Sequence, residues 1–174
     1  MKRLFSYMAI VAALAITMVS CSKDDDKDSE ENRLNFINQV MQNSISFTWE
    51  GQEIAQRKEL GSWVDEKTRY IVIRFDRAST TSTTGTGMLL TFENSFKDKL
   101  VENEDSEFKW YFENDQMKIE WRRSGWQPAH AEYRTGELQI STSTFKGYWF
   151  EKTDFRWQFS YIKSSFNDWN KYTD

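Results

Sequence analysis

Cysteine, histidine and proline are almost missing from this chain of 174 residues, and their scarcity excludes several kinds of site. Cys21 is the only cysteine and His130 is the only histidine. No disulfide can form within the chain, and a zinc site built on cysteines and histidines lacks its ligands. A Ser–His–Asp triad would have to use His130, and nothing in the sequence around it resembles a nucleophile motif. We therefore predict a protein that is not an enzyme, with no catalytic residues, no metal site and no cofactor.

Basic residues are also too few to indicate a nucleic-acid partner. The chain has 23 lysines and arginines against 27 acidic residues, a net charge of −4, whereas domains that bind nucleic acid carry a basic surface. Aromatic residues, in contrast, make up 16% of the chain. A domain this rich in rings is expected to bury a large apolar core, and rings left outside that core are candidates for binding.

The first twenty residues have the pattern of a secretory signal. Two basic residues are followed by the apolar run MAIVAALAITMV at residues 8–19, which is too short to span a bilayer as a helix. The sequence MVSC at residues 18–21 resembles a lipobox, in which small residues precede a cysteine that becomes acylated. We predict that residues 1–20 are a lipoprotein signal peptide and that the lipid on Cys21 anchors the mature protein in a membrane.

An acidic segment follows the cysteine. Residues 22–32 read SKDDDKDSEEN and carry two lysines and six acids. Low hydrophobicity and charge repulsion predict that residues 21–32, the lipidated cysteine included, form a disordered tether, with one domain at residues 33–174. The acidic segment resembles the surface-export signals of Bacteroidota lipoproteins, which implies an outer-membrane protein facing the cell surface. A solvated spacer facing the periplasm is the alternative.

The domain begins with helical spacing and continues with a repeat of two. Apolar residues at 34, 37 and 41 predict one short helix over residues 32–43. Bulky and polar side chains then alternate in about eight segments, and the pair at residues 108–122 is the clearest hairpin. We predict an all-β fold, an eight-stranded up-and-down antiparallel barrel with one short N-terminal helix. Residues 52–66 are predicted to be a long loop or short helix, and the aromatic tail is predicted to form a helical turn that caps the barrel.

Four short motifs occur in order within residues 44–163. They are TWEG at 48–51, FD at 75–76 with GTG at 85–87, FKW at 108–110 with MKI at 117–119, and the stretch from Leu138 through FKGY at 145–148. In this order they resemble the lipocalin-like (calycin-type) lipoproteins of Bacteroidota. The resemblance implies an eight-stranded barrel, but it implies little about activity, since a fold does not determine a function.

The aromatic residues divide into predicted core and predicted site. An eight-stranded barrel is just wide enough to be filled by its own side chains or to hold one small ligand. Trp63 and Trp126 fall in predicted loops, and Tyr133 is predicted to lie near the same rim, where the three rings could bind a ligand or simply plug the barrel mouth. The residues predicted to point inward are Phe108, Trp110, Phe112, Met117, Ile119, Trp121, Phe155, Trp157 and Phe159.

Two functions follow from these expectations. In the first, a membrane-anchored, surface-exposed lipoprotein binds a small apolar molecule or a glycan at the open end of its barrel. In the second, the barrel is packed solid, and its exterior serves as a protein-interaction module: an inhibitor, an adhesin or an accessory subunit of an envelope complex. Whether side chains fill the interior is the observation that separates them.

Overall fold

The computed structural model describes residues 26–101, 106–113, 116–122, 127–132 and 138–172. Within these ranges one α-helix precedes nine strands that form a single antiparallel sheet, so the predicted all-β class with an N-terminal helix is confirmed. The elements are α1 (Asp26–Val40), β1 (Ser46–Glu59), β2 (Ser62–Asp76), β3 (Thr84–Phe92), β4 (Ser106–Glu113), β5 (Gln116–Trp121), β6 (Gln127–Glu132), β7 (Gln139–Ile140), β8 (Thr144–Lys152) and β9 (Phe155–Lys163).

The strands follow a meander whose last part returns to its first strand. Their order is β6-β5-β4-β3-β2-β1-β9-β8-β7, and β6 also pairs with β8 through His130 and Phe150. Closure of the sheet into a barrel stays a prediction. β6 spans Gln127–Glu132 and β7 spans Gln139–Ile140, and residues 133–137 lie outside the described residues.

The hairpin of β1 and β2 replaces the loop or helix predicted for residues 52–66. The two strands pair from Ser46↔Asp76 to Glu59↔Ser62 with one bulge between Ala55 and Gln56. Leu60 (φ 49°) and Gly61 (φ 88°) form the turn, and positive φ at both positions matches the twist of a two-residue hairpin. The sequence of β1 does not show an alternation of bulky and polar side chains, because its inward positions are occupied by Gly51, Glu53 and Ala55. The bulge after Ala55 then shifts the two-residue repeat.

One face of the sheet, here the inner face, carries the main core. The helix begins at Asp26 rather than at residue 32. It packs Phe36, Ile37 and Val40 against this face, and Met41, just after the helix, packs there as well. Trp49 fixes the contact, because its indole Nε1 donates a 2.9 Å hydrogen bond to the carbonyl oxygen of Val40. The fully buried rings of the inner face include Trp49, Phe75, Phe108, Trp110, Phe145, Trp149, Phe159 and Tyr161.

The opposite, outer face carries a second and smaller apolar cluster. Trp169 is buried in a single 3₁₀ turn, Asp168–Lys171, against Val72 and Leu90 of β2 and β3. The Arg74 guanidinium lies 4.7 Å from the centre of the Trp169 ring. The predicted helical turn of the tail is therefore confirmed, but it covers the outer face of the sheet, where the alternate side chains of β2 and β3 are apolar.

Candidate binding site on the outer face

A cleft of 430 Å³ lies where β7, β8 and β9 meet. Its side chains alternate along β8 and β9 with buried core residues, which places the cleft on the outer face. Its volume is within the range of small-molecule sites, which is about 300–1,000 Å³. The residues that line it are Gln139, Lys146, Gly147, Tyr148, Gln158, Phe159 and Ser160.

Arg156 holds the aromatic wall of the cleft in place. Its guanidinium lies 3.8 Å from the centre of the Tyr148 ring and 4.2 Å from the centre of the Trp63 ring. Phe150 is the next ring, at 6.0 Å. A cation stacked on aromatic faces gains electrostatic attraction and loses side-chain freedom. The ring of Tyr148 is therefore held in one orientation beside the cleft.

Gln56 orients the polar side of the cleft, where Gln158 lies. Its amide oxygen accepts a 2.8 Å hydrogen bond from Arg156 Nε, and its Nε2 donates to Asp65 at 2.7 Å and to Gln158 Oε1 at 3.2 Å. The register explains this contact, because Gln56 pairs with Arg156 on one side and with Asp65 on the other. Gln158 is thus a cleft residue whose amide is oriented by its neighbour.

The residues that line the cleft carry two rings, of which that of Phe159 is buried, together with two amides, two hydroxyls and one ammonium group, and none of these residues is acidic. Amides donate and accept at once, and a hydroxyl does the same. An aromatic face beside such groups suits a ligand that has both a flat apolar face and many hydroxyls.

No protein-family model and no curated protein matches this chain.

The predicted binding residues are only partly described. Trp63 lies on β2 opposite Lys58 rather than in a loop, is half-buried, and supports Arg156 from behind the cleft. Trp126 and Tyr133 lie outside the described residues, as does the predicted lipidation site, Cys21. The structure therefore gives the one described ring of the three a supporting role.

The inner face contains a buried ion pair, between Glu53 and Arg69, whose carboxylate is fully hydrogen-bonded by neighbouring side chains. Glu53 is 1% exposed; its Oε2 accepts hydrogen bonds from Arg69 Nε at 2.8 Å and Nη2 at 2.6 Å, and its Oε1 accepts from the Tyr161 hydroxyl. The Arg69 guanidinium also stacks 3.7 Å from the centre of the Trp157 ring. Burial, followed by the charge of Glu53, raises the pKa of Tyr161 well above its usual value. Both carboxylate oxygens are occupied by neighbours, which indicates a structural role for Glu53.

Sequence reasoning missed three residues that build the cleft, namely Tyr148, Arg156 and Gln158. Tyr148 and Gln158 pair directly across β8 and β9, and Arg156 pairs with Phe150. The available signal was the parity of the two strands, which puts all three side chains on the face opposite Trp149 and Phe159. That parity does not reveal the register that brings them together.

No group of three or more histidine, cysteine, aspartate or glutamate residues in the described part of the chain is arranged to hold a metal ion. No helix among the described residues is both long enough and apolar enough to cross a membrane.

Proposed function

We propose that this protein is a lipid-anchored component of the bacterial cell envelope that binds a glycan in the cleft on its outer face. The observation that carries the proposal is the cleft itself, in which Tyr148 and Gln158 are both held in place by Arg156 and Gln56. The anchor is proposed from the signal-like residues 1–20 and from Cys21, and the acidic segment after Cys21 favours the outer membrane and the cell surface.

We further propose that the sheet closes into a lipocalin-like barrel. The meander of antiparallel neighbours supports closure, and so does the pairing of β6 with β8 through His130 and Phe150. Side-chain parity also supports it, since the bulky residues of all the long strands meet in one core on the inner face. The resemblance of motifs that implies the barrel does not identify a ligand.

The contents of the inner face favour recognition on the outside. The helix covers the core next to Trp49, and four residues farther along β1 the ion pair of Glu53 with Arg69 lies against Trp157. Large buried rings occupy the space between these contacts. These observations disfavour the binding of a small apolar molecule inside the barrel, because these side chains already fill the space that it would need.

The cleft matches a sugar better than it matches a fatty chain. Pyranose rings present an apolar face of C–H groups to an aromatic ring, and Tyr148 offers such a ring at half-burial. Gln139, Gln158 and Ser160 offer amide and hydroxyl groups to the sugar hydroxyls. We propose binding rather than catalysis, since Glu53, the buried carboxylate of the inner face, is already bonded through both oxygens.

Binding of soluble oligosaccharides by the full-length lipoprotein in detergent tests this proposal. The Tyr148→Ala variant should lower affinity by about tenfold or more, because it removes the stacking ring and the contact with Arg156. Tyr111→Ala is the matched control, since Tyr111 is a half-buried tyrosine on β4, a strand that contributes no residue lining the cleft, and its hydroxyl donates a hydrogen bond to Glu120. Equal loss in both variants, or no binding of any sugar to the unsubstituted protein, would refute glycan binding at the cleft.

A second candidate, a protein-interaction module, is favoured by the tip of the β1–β2 hairpin. Leu60 is completely exposed and has φ 49, although this turn position suits asparagine or glycine, and nearby Val64 is also exposed. Leu60→Asn fits the turn and removes the apolar tip. An envelope protein that is recovered in stoichiometric amount with the full-length chain and with Phe96→Ser, but not with Leu60→Asn, would support this function over the first.

A further inference from the structure

We infer that the cleft selects an acidic sugar, one that carries a carboxylate, and that Lys146 makes the selection. This inference rests on the proposed glycan function and names the class of glycan. It starts from the charge of the cleft, which has one ammonium group and no carboxylate among the side chains that line it.

Lys146 keeps its charge available to a ligand. It is exposed, and within the described residues no carboxylate lies within salt-bridge distance of its Nζ. Its cross-strand partners are Gln139 on β7 and Ser160 on β9, and both are neutral. Gln52, which pairs with Ser160 on the next strand, is neutral as well. A row of four neutral or basic positions thus crosses this part of the outer face.

Arg156 is not among the residues that line the cleft, so Lys146 is the lining side chain that can pair with an anion. The guanidinium of Arg156 is placed between the rings of Tyr148 and Trp63, and its Nε donates to Gln56. Arg156 therefore orients the site, while Lys146 supplies the charge that faces the solvent side of the cleft. The overall net charge of −4 repels anions at long range, so attraction for an acidic sugar has to come from this local cation.

The geometry divides the recognition of such a sugar into two parts. Tyr148 would stack on the ring, with Gln158 and Ser160 bonding its hydroxyls, for neutral and acidic sugars alike. Lys146 would pair with the carboxylate of an acidic sugar alone. An exposed ion pair contributes modestly and is screened by salt, so we expect a preference of about fivefold at low ionic strength that shrinks as salt is added.

Matched pairs of sugars test the inference on the full-length lipoprotein in detergent. The pairs are sialyllactose, a tetragalacturonate and a hyaluronan hexasaccharide, each with its own carboxyl-reduced form. Each sugar is titrated calorimetrically at about 20 mM and 200 mM salt, across which the Debye length shortens severalfold. The acidic member of at least one pair should bind about fivefold more tightly at low salt. Lys146→Gln should abolish that preference, and Lys152→Gln, an exposed lysine at the end of the same strand, should keep it.

The possible outcomes separate this inference from the proposed function. If acidic and neutral members bind equally, or if Lys146→Gln leaves the preference intact, the selection of acidic sugars is wrong while glycan binding stands. If Lys152→Gln removes the preference as fully as Lys146→Gln, the effect is one of general charge and the assignment to Lys146 is wrong. If none of the six sugars binds, glycan binding at the cleft is itself overturned.

Discussion

Gly51 and Gly61 show that two glycines of one hairpin can be required for different reasons. A Cβ on Gly51 would lie 2.1 Å from the backbone oxygen of Ser160, because β1 and β9 approach closely there. A Cβ on Gly61 would meet nothing within 4 Å, but its φ of +88 disfavours any other residue. The first glycine is needed for space and the second for conformation.

Alanine substitutions at these glycines should therefore differ in cost. Gly51→Ala should lower the free energy of unfolding by about 3 kcal/mol or more, since backbone atoms must move to admit the methyl group. Gly61→Ala should lower it by about 1 kcal/mol, the usual cost of a left-handed conformation for an L-residue. Urea denaturation measures both values. Equal losses, or a larger loss for Gly61→Ala, would contradict the close approach of β1 to β9.

Tyr70 links the pH dependence of stability to the outer face. Burial, together with the charge of Glu50 and the 3.2 Å hydrogen bond to it, raises the pKa of Tyr70 to about 12. In the unfolded chain the phenol titrates near pH 10, so between about pH 10 and 12 the unfolded state loses a proton that the folded state keeps. Stability should fall as the pH rises through this window and should not respond to this group below it.

The Tyr70→Phe variant tests that assignment. Phenylalanine cannot ionise, so the variant should lose less stability than the unsubstituted protein between pH 10 and 12. The fall should not vanish, because Tyr111 also has a pKa raised to about 12 through its hydrogen bond to Glu120. Urea denaturation at several pH values gives both curves. Parallel curves would mean that Tyr70 does not carry the effect.

At the scale of elements, strands with strict alternation were predictable and irregular ones were not. The β4–β5 hairpin was predicted from its bulky and polar repeat, and Phe108, Trp110, Met117 and Ile119 are buried as expected. The start of β9 is less regular in its burial, since Phe155 and Trp157 are only half-buried at the end of the sheet. Periodicity predicts which face of the sheet a side chain lies on. How deeply that side chain is buried depends on whether the neighbouring strands extend far enough to cover it.

The cleft could not be predicted for a related reason. Gln139, Tyr148 and Gln158 become neighbours only when β7, β8 and β9 pair in the observed register. The sequence predicts Trp63 as a binding residue in a loop. In the structure Trp63 lies on β2 and contacts the site through the guanidinium of Arg156. A sequence reveals which side chains are unusual, while register decides which of them meet.

The C-terminal tail offers a prediction about an element that lacks regular structure over most of its length. Phe166 and Tyr172 pack with buried Trp169 against the outer face of β2 and β3. Trp169→Ala should lower the free energy of unfolding by about 3 kcal/mol, since it leaves a cavity over Val72 and Leu90. Phe96→Ala, at a ring that is 84% exposed, should change it by less than about 0.5 kcal/mol. Similar losses for the two variants would place the tail away from the sheet.

At the scale of the whole molecule, the proposed anchor and the proposed site lie in different parts of the chain. The residues that line the cleft all lie after residue 138, whereas the anchor depends on residues 1–21 and the acidic segment that follows. The helix begins at Asp26, within the acidic segment, and packs on the inner face. Loss of the anchor should therefore move the protein without changing its affinity for a sugar.

Cys21→Ser provides the test of that separation. Without a thiol to acylate, the variant should leave the detergent phase in a Triton X-114 partition of cells of the Bacteroidota, while the unsubstituted protein stays in it, because the acyl chains contribute roughly 0.8 kcal/mol per buried methylene. Replacing Asp24, Asp25 and Asp26 by alanine should keep the protein in the detergent phase but protect it from protease added to intact cells, if the acidic segment directs surface export. Retention of Cys21→Ser in the detergent phase would contradict the anchor, and unchanged protease access in the aspartate variant would instead place the export signal elsewhere.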